Sequence, residues 1–116
     1  MVPKELAELS LGPNLHLALQ AVRRQLMAEF DIDRLVLFGS AAWGRPDEES
    51  DADLLIVLNN KVDLLTEDSI SRAVFEANLK YDTNLSELIV DRETWDYGLA
   101  SAMPIHEEIE KRGIRI

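Results

Sequence analysis

A small mixed β-sheet covered by helices, an α/β (α+β) arrangement, is the architecture this sequence predicts. Three observations point to it. Two short β-type apolar runs, RLVLF and DADLLIVL, lie on either side of one loop, and a third, LSELIV, follows a helical stretch. Helical periodicity flanks these runs, giving the order α-α-β-β-α-β-α-α. With 47% hydrophobic residues among 116, the chain has enough apolar material for one core, and it is read as a single domain over 1–116.

The elements follow in order. KELAEL predicts a short N-terminal helix stopped by Gly12-Pro13. NLHLALQAVRRQLMAEF places Leu15, Leu19, Val22, Leu26 and Phe30 at spacings of three and four, an amphipathic helix ended by Asp31 and Asp33. RLVLF is the first strand, AAWGRPDEES a loop rich in turn formers, and DADLLIVL the second strand, closed by Asn59-Asn60. A helix from about Asp68 to Tyr81 puts Ile70, Val74, Ala77 and Tyr81 on one face, with Thr66 as its cap. LSELIV is a third strand, and Asp91 caps a helical turn through RETWDYGLA. The last helix, about Pro104 to Lys111, has proline in its first turn and Gly113 past its end; the tail IRI adds a short edge strand.

Composition excludes several classes. The chain carries 22 acidic against 12 basic residues, and no basic cluster exceeds the pair Arg23-Arg24. Nucleic-acid binders draw most of their affinity from neutralised phosphates, so a direct nucleic-acid substrate is not expected. A net charge of −10 suits a basic protein partner or a metal-carried substrate. The absence of cysteine rules out disulfides and thiolate metal sites and fits a reducing cytoplasm. MVPKELAELSL has no signal-peptide pattern, and no apolar run approaches the ~20 residues of a membrane span.

The chemistry concentrates between residues 39 and 53. A glycine leaving an apolar strand, as Gly39 does, turns the chain and admits a ligand to the backbone; the Ser40 hydroxyl and the following amides can bind phosphate. Asp51 and Asp53 head the second strand, and residues two apart share a face. Paired carboxylates repel unless a cation joins them, and oxygen ligands favour Mg²⁺ or Mn²⁺. An EF-hand is excluded, since neither its loop glycine nor its closing glutamate stands at the required spacing.

Gly39-Ser40, ten intervening residues, then Asp51-Ala52-Asp53 between two apolar strands resembles the signature of the nucleotidyltransferase fold, the DNA polymerase β superfamily. More narrowly it is similar to the minimal nucleotidyltransferases (MNT proteins), often antitoxins encoded beside helical HEPN partners. The likeness runs from about residue 14 to the closing EKRGIRI. It implies that Gly39, Ser40 and the nearby Arg45 serve the nucleotide phosphates while Asp51 and Asp53 hold Mg²⁺ or Mn²⁺. It also implies a third carboxylate on a later strand. Glu87 in LSELIV, which shares a strand face with Leu85 and Ile89, is the first choice, completing the metal site or taking the proton of the attacking hydroxyl. Asp82 and Asp91, at that strand's ends, are alternatives.

Two departures stand out. Where the family commonly carries arginines after Gly-Ser, this chain has Ala41, Ala42 and Trp43, with only Arg45 following Gly44; Asp47, Glu48 and Glu49 then repel phosphate. Magnesium must neutralise more of the charge, or nucleotide binds weakly. Trp43 is read as a packing residue, with base or partner stacking as the alternative.

The resemblance implies transfer of AMP from ATP to a protein hydroxyl, a tyrosine of a HEPN ribonuclease, within a hetero-oligomer in the cytoplasm. The alternative is an antitoxin of the same fold that neutralises by occlusion, and a free-standing small-molecule transferase is a third reading. Larger members add acceptor-binding domains, so this chain is expected to take its acceptor from a partner surface. The chain lacks the Arg–x₄₋₆–His spacing of the HEPN toxins, so it is not the toxin half. His16 and His106 have no ligand partners at metal spacing and are assigned surface or structural roles; Trp95 and Tyr97 are assigned to packing the C-terminal helices.

Overall fold

The computed structural model describes residues 2–4, 9–39 and 51–116. Its elements are β1 (Val2–Pro3), α1 (Pro13–Glu29), β2 (Ile32–Phe38), β3 (Asp51–Leu58), α2 (Leu64–Tyr81), β4 (Asn84–Asp91), α3 (Arg92–Asp96), a 3₁₀ turn (Leu99–Ala102), α4 (Pro104–Arg112) and β5 (Ile114–Arg115). The five strands form one mixed sheet in the order β1-β5-β2-β3-β4.

The run LLIVL explains the layering. A strand covered on one face alternates apolar and polar residues, whereas one covered on both faces reads as a continuous apolar run. Leu54, Ile56 and Leu58 join Leu35 and Leu37 of β2 against Leu15, Leu19 and Leu26 of α1 and Ile70 and Val74 of α2. Leu55 and Val57, with Val36 of β2, pack instead against Trp95 of α3 and Ile109 of α4. The sheet is thus sandwiched, with α1 and α2 on one face and α3 and α4 on the other. β3 runs antiparallel to β2 and parallel to β4.

One expectation falls largely outside the described residues and two need correction. Gly12-Pro13 begins a helix: Gly12 caps α1 and Pro13 occupies its first turn, where a missing N–H costs nothing. Residues 5–8 of KELAEL lie outside the described residues, and Val2–Pro3 just before them is a strand. α2 starts at Leu64 because Asp63, and not Thr66, is its cap; the Asp63 carboxylate accepts the Thr66 N–H at 2.8 Å. β5 is an inner strand, parallel to β1 on one side and antiparallel to β2 on the other.

The turn from α2 into β4 is pinned. Asp82 caps α2 in the left-handed region at φ +54. Asn78 then grips the incoming strand: its side chain accepts the Leu85 N–H at 2.8 Å and donates to the Leu85 carbonyl at 3.1 Å, and it also accepts the Thr83 hydroxyl at 3.0 Å. These bonds fix where β4 begins, and so its register against β3.

Candidate active site

Asp51 and Asp53 open β3, and the period of two sends both side chains to one face. Cross-strand partners share a face, so their neighbours follow from the register. Asp53 lies between Phe38 of β2 and Ser86 of β4, and Asp51 lies beside Asn84. Further along the same face come Leu55 and Val57, covered by α3 and α4. Asp51 is exposed and Asp53 half-buried.

Gly39 closes the site from β2. Its φ is +80, a conformation that L side chains rarely adopt, and a Cβ at this position would collide with Oδ2 of Asp53. Glycine therefore serves twice: it lets the strand turn, and it brings bare backbone against the Asp53 carboxylate. The glycine turn and one carboxylate of the aspartate pair are in contact here, although Gly39 and Asp53 are fourteen residues apart in sequence.

The electrostatics of the pair disfavour its charged form at Asp53. Burial pushes the Asp53 carboxyl above its ordinary value, and the charge of Asp51 adds to the rise. Another half-buried charge in this fold, Arg34, is compensated. Arg34, whose charge burial opposes, is held ionised by Asp96, with both carboxylate oxygens at 2.8 and 3.0 Å, and by Asp33 at 2.6 Å. Among the described residues no ion pair or hydrogen bond does the same for Asp51 or Asp53. An all-oxygen pair with no cationic partner among the described residues fits a hard divalent cation of the Mg²⁺ or Mn²⁺ type.

The remaining candidates are not brought together. Glu87 pairs with Leu54, on the face of Leu85 and Ile89, which the α1–α2 core covers. It stands on the opposite side of the sheet from Asp51 and Asp53, which corrects its expected place beside them. Asp91 sits at the far end of β4, opposite Leu58. It caps α3, accepting the Thr94 N–H and hydroxyl at 2.8 Å each, and these bonds hold its carboxyl below the ordinary range. Asp82 is the exposed cap of α2. Among the described residues no group of three or more His, Asp or Glu side chains could hold a metal. Ser40, Trp43 and Arg45, with the acidic run Asp47 to Glu49, lie outside the described residues.

Sequence reasoning missed Ser86 and Asn84, the neighbours of the two aspartates. The signal was present: Leu85 and Ile89 are the strand's core residues, so Ser86 had to share the other face.

Trp95 is fully buried, stacks on His106 with ring centroids 4.4 Å apart, and donates its N–H to Glu110 at 2.8 Å. Both rings belong to the α3–α4 layer. Tyr97, expected to pack there, is 84% exposed.

A mixed sheet carrying a glycine turn against an aspartate pair defines a class of phosphate-handling transferase folds. The nucleotidyltransferase domain family matches residues 19–112, and the chain belongs to that family. It is 33% identical over 85 residues to the "putative protein adenylyltransferase" of Methanocaldococcus jannaschii, covering 73% of this chain and 79% of that protein. In structure it resembles a chain from a crystal structure of a mutant toxin–antitoxin pair, MntA–HpeT. There the TM-score is 0.55 at 17% identity, over 84% of this chain and 69% of the other, a likeness of fold. Among the described residues no helix is long and apolar enough to cross a membrane.

Proposed function

We propose that this chain transfers AMP from ATP to a protein hydroxyl, a tyrosine of a helical HEPN-type toxin, and so acts as an antitoxin in a cytoplasmic complex. The observation that carries the reading is the contact of Gly39 with Asp53 beside Asp51. The printed name of the M. jannaschii relative supports a protein acceptor, and the toxin–antitoxin title of the structural neighbour supports the biological setting. A net charge of −10 suits a basic, RNA-cleaving partner, through which alone the chain meets nucleic acid.

In this reading Asp51 and Asp53 hold Mg²⁺ or Mn²⁺, which when bound supplies charge neutralisation at the phosphates. The Gly39 backbone, with Ser40 and Arg45, seats the phosphates and orients the α-phosphorus toward the acceptor. The acceptor oxygen bonds to that phosphorus, the bond to pyrophosphate breaks, and the hydroxyl proton is lost. A second reading, neutralisation by occlusion, gains support from Ala41 and Ala42 at the arginine positions and from Glu87 standing across the sheet.

Co-expression with the helical partner separates the two. An AMP adduct in the partner's intact mass, present with the wild type and absent with Asp53→Ala, supports transfer. A partner that stays unmodified, yet bound and silenced by both proteins, supports occlusion.

A further inference from the structure

We infer that the third corner of the metal site is Ser86, a hydroxyl standing where a carboxylate is expected, and that the cation therefore arrives with the nucleotide. This rests on the reading that Asp51 and Asp53 bind a divalent cation. Ser86 is exposed and in register with Asp53, on a strand about 4.8 Å away. Its side chain leaves the sheet on the same face as both carboxylates. A hydroxyl is an accepted Mg²⁺ ligand when phosphates supply others.

Glu87 cannot take this place by a small adjustment. A slip of one residue would turn Leu85 and Ile89 out of the α1–α2 core and turn Ser86 into it. It would also break both hydrogen bonds that tie Leu85 to the Asn78 side chain. The register is held from the core side and from the helix side together.

The consequence is a change in charge count. Asp51 and Asp53 are flanked on β4 by Asn84 and Ser86, both neutral, so among the described residues the corner carries two negative charges instead of three. Affinity for hard cations follows the number of charged ligands, and Mg²⁺ sheds water reluctantly. Two carboxylates and a hydroxyl bind the free ion weakly, and triphosphate oxygens complete its shell. On the face of the aspartates β4 also offers no carboxylate for the acceptor's proton, which leaves to water or to a group of the partner.

Thermal unfolding of the full chain tests this with Mn²⁺ alone and with Mn²⁺ plus a non-hydrolysable ATP analogue. For the wild type, the analogue should lower the Mn²⁺ midpoint about tenfold. Ser86→Asp, or Ser86→Glu if the first variant folds poorly, should tighten Mn²⁺ alone by about tenfold, and Glu87→Gln should match the wild type. The inference is overturned if Glu87→Gln weakens Mn²⁺ as far as Asp53→Asn does, or if neither Ser86 variant moves the midpoint. A Mn²⁺ shift that survives Asp53→Asn would overturn the metal reading along with it. A partner that carries no AMP, with these titrations as expected, would count against transfer alone.

Discussion

Asp53 costs the fold something for as long as it stays ionised without a cation. Its folded-state pKa lies above the ordinary value, chiefly through burial. The sign follows from linkage: the favourable contribution is complete below the unfolded pKa and is lost as pH rises through the folded one. Asp53→Asn should therefore make the metal-free protein more stable than wild type at pH 7, with the gap closing toward about pH 4. Urea midpoints at the two pH values measure this; an equal gap at both would refute it. Gly39, Asp51 and Asp53 were legible in the sequence because their chemistry is rare in context: a glycine ending an apolar strand, and two acids opening another. Glu87 was misplaced for a different reason. Its strand face was read correctly, but which face of β4 meets the aspartates depends on pairing with β3, and no local pattern encodes that.

At the scale of elements, caps decide more than periodicity does. Asp91 spends both carboxylate oxygens on Thr94 to start α3, and α3 carries Trp95 into the core. Asp91→Ala should cost about 1 kcal/mol, the usual value of such a cap. It should leave Mn²⁺ binding unchanged, since Asp91 lies at the far end of the strand from the site; a urea titration and a Mn²⁺ titration on one variant check both halves. Strands β2 and β3 were readable to within two residues because a run buried on both faces has no polar interruptions. The start of α2 was not. Leu64 and Leu65 are 85% and 81% exposed, so its first turn adds nothing to the apolar stripe from which a helix is recognised. Thr66 looked like the cap, whereas its N–H is what the true cap binds.

Across the whole molecule, Arg34 ties the sheet to the helices on one face. From β2 it donates through Nη2 to both carboxylate oxygens of Asp96 of α3 and approaches Glu110 of α4 at 3.9 Å, the carboxylate that also receives the Trp95 N–H. Its side chain is only 13% exposed. Arg34→Ala should cost about 2 kcal/mol, since it strands Asp96 in a half-buried place. Chemical denaturation checks the value, and a loss under about 0.5 kcal/mol, the range of an ordinary surface change, would demote the contact to decoration. That the sheet is mixed was legible from the order of helices and strands. That β5 is an inner strand was not, because a two-residue segment reveals its neighbours only once the rest of the sheet exists.

The position of β5 also bears on how the chain comes off the ribosome. Ile114–Arg115 follows the other described strands in sequence, yet it lies between β2 and β1. Val2 and Pro3 wait through more than a hundred intervening residues for a partner, while Val36 and Leu37 present an open edge to the nascent chain's surroundings. Contacts of such long range form late and slowly. The helices and the β2–β3–β4 sheet can assemble during translation, but β1 joins the sheet only after Ile114–Arg115 has emerged. Until then the nascent chain carries a strand edge able to pair with a stranger.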